Sequence, residues 1–363
     1  MAAQRSLAWG EPAPWFFAKA PVNPRFAFSS LGGRFVALCF FGRSGEPAAT
    51  AFLAALAAGL GPTDDGRVVC FGVSEDEADL DAAAVGAAFP HQRVFHDPGR
   101  AIAADYGLVG TDGALDPRWF VLDPTLRVFA SGPLDRADAL LAALRALPDP
   151  AAHATAQPWA PVLLVPRVLE PEFCRRLIDY YRAGEPEPSG FMRTEDGRTV
   201  MVKDAGFKRR ADVTIGDEGL RGHLREALRC RLVPEIARAF QFEVTRIERY
   251  IVACYDAASQ GFFKPHRDNT TAATAHRRFA VSINLNAEEF AGGELRFPEY
   301  GPRSYRPPTG GAVVFSCSLL HEALPVTEGV RYATLPFLYD DAAARVRERN
   351  IGLLEDGKAT YRA

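Results

Sequence analysis

The fold of the second half of the chain is decided by residues 278–339, which read RFAVSINLNAEEFAGGELRFPEYGPRSYRPPTGGAVVFSCSLLHEALPVTEGVRYATLPFLY. Short apolar runs of strand length alternate in this stretch with turns rich in glycine and proline. The same pattern begins upstream with VTRIERYIVACYD at 244–256. Many short strands at this spacing are typical of an antiparallel β-sandwich or barrel, so we predict an all-β core here.

Two helical patterns come before this β-rich region, at 171–183 and 217–240. The first begins with Pro171 and places its apolar residues on one face, as amphipathic helices do. The second has leucine or isoleucine at every fourth position from Leu220, and we expect Pro234 to bend or break it. The sequence therefore predicts helices that pack on one face of the β core.

A possible metal site begins with the triplet His266-Arg267-Asp268. In an extended segment, residues two apart point to the same side, so this imidazole and carboxylate can face one metal. The triplet alone is weak evidence and is more typical of a surface loop. His321, which follows the strand-like run GAVVFS, can supply a third ligand from a neighbouring strand. Two histidines and one carboxylate with open positions are the ligand set of non-haem iron(II) oxygenases.

These motifs, in this order, resemble the iron(II)/2-oxoglutarate-dependent dioxygenases of the prolyl 4-hydroxylase type over about residues 162–340. The resemblance implies a double-stranded β-helix, or jelly roll, with flanking helices. It also implies His266, Asp268 and His321 as iron ligands and Arg331 as the partner of the distal carboxylate of 2-oxoglutarate. The planar guanidinium of arginine suits that carboxylate because it stays charged when buried and pairs bidentately.

The same resemblance implies iron(II) as cofactor, 2-oxoglutarate and dioxygen as co-substrates, and ascorbate as a candidate reductant. Tyr255 is the candidate for a hydrogen bond to 2-oxoglutarate, although Tyr250 is an alternative. Asn284, in INLN, corresponds to a position that often faces the co-substrate. The remaining charged groups nearby, Lys208-Arg209-Arg210 and His276, are interpreted as exposed residues.

The first half alternates strand-like and helical segments. Apolar runs at 34–41, 67–73 and 118–132 are separated by alanine-rich stretches at about 47–59, 76–89 and 98–107, and another helical stretch follows Asp135. Strands that alternate with helices predict an α/β sheet covered by helices.

This half resembles the peroxiredoxins, which have a thioredoxin fold, over about residues 7–147. The matching pieces are GEPAPWF (10–16), RFVALCFFGRSGEPAAT (34–50), VVCFGVSED (68–76), FHDPGRAIAADYGL (95–108) and RWFVLDPTLRV (118–128). The alignment places Ala49 where the peroxidatic cysteine should be and Glu46 where the family has threonine. Arg118 takes the place of the activating arginine, and Cys39 lies in mid-strand, where burial makes a thiol inert. The resemblance therefore indicates a module for partner binding or dimerisation, without peroxidase activity.

A proline-rich stretch, LPDPAAHATAQPWAP at 147–161, separates the two halves. Its four prolines fit a linker, since proline neither continues a helix nor pairs in a central strand. We predict a thioredoxin-like domain at 1–147, a linker at 148–161, an oxygenase domain at 162–345 and a C-terminal tail at 346–363.

Composition restricts the partners and the compartment. The chain has 42 basic and 45 acidic residues and a formal net charge of -3, which argues against a nucleic-acid or anionic membrane surface. No apolar run is long enough for a signal peptide or a transmembrane helix. The six cysteines are scattered without a CxxC pair, so we expect a reducing, cytoplasmic location.

The sequence thus favours a hydroxylase that acts on a C–H bond of a protein residue, such as a prolyl residue, or of a small molecule. Succinate and carbon dioxide would be the co-products. Two other classes remain open: a non-catalytic adaptor that uses the same barrel, and a thiol redox enzyme that uses Cys39.

Overall fold

The computed structural model describes residues 5–60, 65–90, 93–154 and 158–354. These form two compact units. One unit runs to Trp159 and includes Pro298–Pro302, and the other comprises Ala160–Phe297 and the chain from Arg303 onward. The prediction of two domains is confirmed, while the exact boundaries stay predictions.

The first unit contains one mixed sheet and its covering helices. Its strands are β1 (Phe17–Ala20), β2 (Asn23–Ala27), β3 (Phe35–Gly42), β4 (Val68–Ser74), β5 (Val94–His96), β6 (Arg118–Leu122) and β7 (Val128–Pro133). Its helices are α1 (Pro47–Gly59), α2 (Ala83–Ala88), α3 (Ala101–Asp105) and α4 (Ala137–Arg145).

The strand order identifies a thioredoxin fold. The seven strands are arranged β2-β1-β5-β4-β3-β6-β7. Strands β3, β4 and β5 are parallel, whereas β6 is antiparallel to β3 and β7 is antiparallel to β6. Every residue of β3 is buried, which explains its continuous apolar sequence as the central strand. The thioredoxin-like prediction is confirmed, and the hairpin of β1 and β2 extends it.

The thiols of this unit lie in its core. Cys39 and Cys70 are fully or almost fully buried, and Ala49 is buried in the first turn of α1. Burial raises the pKa of the Cys39 thiol well above its ordinary value and raises the pKa of Cys70 to about 12. Both therefore remain protonated thiols, which are poor nucleophiles.

We expect one fast-reacting thiol in the native chain, because Cys230 is the exposed cysteine and the other five are at least partly buried. A disulfide reagent such as DTNB should label about one thiol rapidly in buffer and six in denaturant. Cys230→Ser should remove the rapid phase, and Cys39→Ser should leave both that phase and the background rate of peroxide loss unchanged. Rapid labelling of Cys39, located by mass spectrometry, would contradict the assignment of an inert thiol.

The second unit is mainly β-structure. Its strands are β8 (Leu163–Val165), β9 (Glu187–Pro188), β10 (Phe191–Glu195), β11 (Arg198–Val202), β12 (Lys208–Arg209), β13 (Ala211–Thr214), β14 (Arg246–Glu248), β15 (Ile251–Asp256), β16 (Phe262–His266), β17 (Phe279–Asn284), β18 (Phe290–Gly292), β19 (Leu295–Arg296), β20 (Ser304–Tyr305), β21 (Ala312–Ser316), β22 (His321–Ala323), β23 (Val326–Thr334) and β24 (Phe337–Tyr339). Its helices are α5 (Pro171–Ala183), α6 (Glu218–Arg231), α7 (Val233–Phe240) and α8 (Asp341–Asn350).

Eight of these strands form a jelly roll. In one sheet β15, β23, β17 and β21 are neighbours, and in the other β16, β22, β19 and β20 are neighbours. The chain passes from one sheet to the other at most steps, and all these pairings are antiparallel. This is the arrangement of a double-stranded β-helix, so the predicted fold is confirmed.

Helices α5 and α6 cover the outer face of the larger sheet. Phe173 and Leu177 of α5 and Leu224 of α6 share one core cluster with Val252 and Ile283 of the sheet. Burial of such side chains contributes about 1.5–3 kcal/mol each. The predicted second helix is divided at Leu232, because α6 ends at Arg231 and α7 starts at Val233. Pro234 lies in the first turn of α7, so the expected break near this proline is present.

Two features of this unit were not predicted. Residues 191–202 form the hairpin of β10 and β11 around Asp196-Gly197, both with positive φ. Helix α8 runs across the predicted start of the tail at 346, and Asn350 donates a hydrogen bond to the Ala272 carbonyl. The boundary at 345/346 therefore lies within this helix and stays a prediction, and the tail from 355 lies outside the described residues. Within the described ranges, no helix is both long and apolar enough to cross a membrane.

Candidate metal centre

Two neighbouring strands bring the three candidate ligands together. His266 ends β16 and His321 begins β22, and the two are direct cross-strand partners. Asp268 follows β16, where its backbone N–H donates to the Cys317 carbonyl at 2.9 Å. The Asp268 carboxylate lies 3.6 Å from His266 Nε2 and 3.3 Å from His321 Nε2. One ligand atom from each residue lies within 4.8 Å of the others.

Backbone hydrogen bonds fix how the two imidazoles are turned. Nδ1 of His266 donates to the Lys264 carbonyl at 2.8 Å, and Nδ1 of His321 donates to the Leu319 carbonyl at 3.0 Å. Since a carbonyl only accepts, Nδ1 carries a proton in each ring, and Nε2 is the nitrogen that faces Asp268. With Nδ1 occupied in this way, Nε2 is the nitrogen available to a metal ion.

The pKa values of His266 and Asp268 favour the protonation states that bind a metal ion. Burial, together with the neighbouring His321, lowers the pKa of His266 to about 4, so its ring is neutral at pH 7. Burial alone would raise the pKa of Asp268, but attraction to His321 and the close approach of His266 outweigh burial and hold that pKa well below its ordinary value. Two imidazoles and one carboxylate are a ligand set that fits iron(II).

Aromatic rings hold the two histidines in place. The Phe263 ring stacks on His266 with centroids 3.5 Å apart, and the Phe315 ring lies 4.5 Å from His321. The two imidazoles are themselves 4.2 Å apart. This packing restricts rotation of the ligands and shields one side of the site from water.

Arg331 lies inside the barrel on β23 and is 3% exposed. Its Nε donates to Asn284 Oδ1 at 3.1 Å and its Nη2 donates to Ser282 Oγ at 2.8 Å. Among the described residues no carboxylate forms an ion pair with it. Burial lowers the pKa of Arg331, although arginine remains charged near neutral pH. A buried guanidinium held only by neutral acceptors can receive a ligand carboxylate.

The two candidate tyrosines lie on different sides of the larger sheet. Tyr255 is the cross-strand partner of Arg331, and the Arg331 guanidinium carbon lies 5.1 Å from its ring centroid. Tyr250 instead packs in the core cluster beneath the helices, with Arg221 over its ring at 4.9 Å. Of the two, Tyr255 is the one that lies beside the candidate co-substrate site.

Asn284 holds Arg331 in place through its side-chain amide. Its amide accepts from Arg331 and donates to the Pro307 carbonyl at 2.9 Å, so it fixes the arginine. Ser282, two residues earlier on the same strand, also accepts a hydrogen bond from Arg331 and helps to hold it. Ser282 was not predicted as a site residue from the sequence. Alternation along β17 was the signal that could have identified it, because Ser282 and Asn284 share a face.

Several groups that the sequence placed on the surface are buried. Lys208 and Arg210 are 6% and 8% exposed, and only Arg209 of this triplet is exposed. His276 is also buried, with Nε2 2.6 Å from Glu248. The exposed interpretation is wrong for these three because the fold brings each of them an acceptor that is distant in sequence: Ser189 for Lys208, Tyr255 for Arg210 and Glu248 for His276.

Glu248 organises a buried network behind Asp268. It accepts hydrogen bonds from Arg277 Nη2 at 2.7 Å and from His276 Nε2 at 2.6 Å. Arg277 also donates to the Asp268 carbonyl at 3.4 Å, which connects the network to the ligand segment. Burial would raise the pKa of Glu248, but Arg277 and His276 outweigh it and hold that pKa well below its ordinary value.

Glu248→Gln is expected to destabilise the second unit by about 3 kcal/mol at pH 7, because it leaves Arg277 buried without its counter-ion. The folded pKa lies below the ordinary value of 4.5, so the ionic contribution is complete above pH 4.5 and is lost as the pH falls further. The variant should therefore lose less stability than the wild type between pH 4.5 and 3.

Urea unfolding at several pH values measures both effects. Glu235→Gln is the matched control, since Glu235 pairs with Arg238 on the surface of α7. Equal stability of Glu248→Gln and wild type at pH 7 would show that the buried network contributes nothing.

Comparisons with known proteins agree with this geometry. Residues 250–339 match the family model of the 2OG-Fe(II) oxygenase superfamily, a range that contains all three candidate ligands and Arg331. A PKHD-type hydroxylase of Synechococcus sp. (strain JA-2-3B'a(2-13)) is 28% identical over 98 residues, which is 25% of this chain and 43% of the relative. A second Synechococcus strain, JA-3-3Ab, has a relative with the same figures. The chain thus spans less than half the length of these relatives.

Solved structures resemble each unit separately. A Trichoplax adhaerens prolyl hydroxylase, solved with a hypoxia-inducible-factor peptide, is 18% identical with a TM-score of 0.41, covering 52% of this chain and 86% of its own. A yeast mitochondrial 1-Cys peroxiredoxin is 22% identical with a TM-score of 0.33, covering 39% of this chain and 76% of its own. The fold assignments themselves rest on the strand orders.

Proposed function

Because residues 250–339 match the 2OG-Fe(II) oxygenase superfamily, we propose that the chain is an iron(II)- and 2-oxoglutarate-dependent hydroxylase. The observation that carries the proposal is the convergence of His266, Asp268 and His321 on one point, with Nε2 of both rings turned inward. A barrel that does not bind a metal has no need for three ligand side chains whose binding atoms all face one point.

In this proposal His266, Asp268 and His321 hold iron(II) through two imidazole nitrogens and a carboxylate oxygen. The bound metal supplies oxygen activation coupled to the oxidative decarboxylation of 2-oxoglutarate, with succinate and carbon dioxide as products. The chain itself turns Nε2 of both rings and the Asp268 carboxylate toward one point, and the aromatic rings packed on the imidazoles restrict their rotation.

Arg331 is the proposed anchor of the distal carboxylate of 2-oxoglutarate. Ser282 and Asn284 occupy its Nη2 and Nε, which holds the guanidinium plane in one orientation. Because the charge is already desolvated, an arriving carboxylate gains a strong interaction without further burial of the arginine. Tyr255 is the proposed second contact of the co-substrate.

The substrate class is a C–H bond of a protein residue, including prolyl residues, or of a small molecule. The first unit is proposed to bind a partner or to dimerise, since its buried thiols provide no peroxidase chemistry. All six cysteines are free, which supports a cytoplasmic location. Ascorbate is proposed as a reductant that keeps the iron in the iron(II) state.

Purified protein with iron(II), 2-oxoglutarate and dioxygen should release succinate slowly without a substrate. A screen of peptides and small metabolites for faster succinate release, with a product heavier by one oxygen, would identify the substrate. Comparison with and without ascorbate tests the reductant. Absence of succinate from the metal-loaded protein with every compound would contradict the proposal.

A further inference from the structure

Arg210 is a buried arginine that lies between β12 and β13 and is held by several acceptors. Its Nε and Nη2 donate to the two carboxylate oxygens of Asp212 at 2.7 and 2.6 Å. Nη2 also donates to Ser189 Oγ at 2.9 Å. The bidentate pair and the serine fix the plane of the guanidinium, because a planar fork with two partners cannot rotate.

The remaining nitrogen of this guanidinium reaches the candidate co-substrate tyrosine. Arg210 Nη1 donates to the Tyr255 hydroxyl at 3.4 Å. The guanidinium carbons of Arg210 and Arg331 lie 5.8 and 5.1 Å from the Tyr255 ring centroid. The tyrosine is thus oriented by one arginine that donates to its oxygen and by another that is its cross-strand partner.

The direction of this hydrogen bond determines what the hydroxyl can do. Guanidinium has donors only, so the Tyr255 oxygen accepts from Arg210 and keeps its own proton for another acceptor. Tyr255 is buried, at 3% exposure, and lies next to Arg331. A carboxylate or keto oxygen of a bound 2-oxoacid is an acceptor of the required kind.

We propose that Arg210 is a positioning residue for 2-oxoglutarate, which acts by orienting the Tyr255 hydroxyl toward the co-substrate. The inference rests on the proposed function, since it takes 2-oxoglutarate as the ligand beside Arg331. Arg210 itself does not touch the co-substrate. Lysine at this position would preserve the positive charge. It could not donate to both Asp212 carboxylate oxygens and to the Tyr255 hydroxyl at once, because it lacks the planar guanidinium.

The test is a double-mutant cycle of Arg210→Lys and Tyr255→Phe, read as binding of 2-oxoglutarate to the Mn(II)-loaded protein by calorimetry. Each single variant should bind 2-oxoglutarate about tenfold more weakly, the effect of losing one hydrogen bond to a charged group. The double variant should be no weaker than Tyr255→Phe, because Arg210 acts through that hydroxyl. Mn(II) affinity should be unchanged throughout.

Arg209→Lys is the matched control, since Arg209 is exposed and donates to the Ala205 and Ser259 carbonyls. If Arg210→Lys does not fold, the amide pair Arg210→Gln with Asp212→Asn replaces it, because it removes both charges together. A thermal melt of Arg210→Lys shows whether this variant is folded.

Three results would overturn the inference: wild-type affinity in Arg210→Lys, additive losses in the double variant, or loss of Mn(II) binding along with 2-oxoglutarate binding. Failure of the wild type to bind 2-oxoglutarate in the presence of metal would instead overturn the proposed function and the inference with it.

Discussion

Replacing His321 by alanine is expected to weaken metal binding by more than about a hundredfold and to abolish metal-dependent succinate release. Loss of a residue that merely supports a ligand costs about 10- to 100-fold in metal affinity, and loss of a ligand itself costs more. His266→Ala should behave in the same way, since each ring supplies one of three donors.

Calorimetric titration of the metal-free protein with Mn(II) measures this effect without turnover. His223→Ala is the control, because His223 stacks on Phe173 of the outer helices with ring centroids 3.8 Å apart, away from the three ligands. Wild-type Mn(II) affinity in His321→Ala, together with an unchanged thermal melt, would contradict the assigned ligand set.

Replacing Arg331 by glutamine is expected to weaken 2-oxoglutarate binding by at least about 30-fold while Mn(II) binding is preserved. Truncation of one partner of a buried, hydrogen-bonded charge pair costs about 2–5 kcal/mol, which is about 30-fold or more in affinity. The free protein should not be destabilised strongly, because the arginine has no protein carboxylate to lose among the described residues.

The measurement is the dissociation constant of 2-oxoglutarate for the Mn(II)-loaded variant. Arg306→Gln serves as the control, since Arg306 is partly exposed and donates to the Phe290 carbonyl. Full 2-oxoglutarate affinity in Arg331→Gln would show that another cation receives the distal carboxylate.

The candidate ligands could be predicted because the signals for them lie in short, continuous stretches of sequence. The alternation in His266-Arg267-Asp268 places both side chains on one face of the chain, and a strand ends just before His321. Their close approach depends on one strand pairing, that of β16 with β22, which the fold provides. Their role as iron ligands stays a proposal until metal binding is measured.

Tyr250 and Tyr255 remained alternatives in the sequence because the sequence did not show where their strand begins and ends. They are five residues apart, and β15 starts only at Ile251. In a continuous strand an odd separation puts two side chains on opposite faces, so at most one could face the barrel interior. The structure shows which one does.

The buried cations were missed for a physical reason. Lys208 and Arg210 have a strongly basic local sequence, which is typical of a surface. Lys208 donates to Ser189 and to the Gly190 carbonyl, and Arg210 donates to Ser189 and Tyr255, all of which are distant in sequence. Of the acceptors of Arg210, only Asp212 is local, two residues along the same segment. The β10–β11 hairpin, by contrast, had a local signal in Asp196-Gly197, since Asp-Gly favours a two-residue hairpin turn.

The proposed function requires that one metal ion and one 2-oxoglutarate molecule bind together in the barrel of the second unit. Anaerobic titration of the iron(II)-loaded protein with 2-oxoglutarate, followed by visible absorbance and calorimetry, tests it most directly. We expect one 2-oxoglutarate to bind per chain, the binding to require the metal, and His321→Ala to lose it. Binding of 2-oxoglutarate that is equally strong without metal, or no binding with it, would contradict the claim.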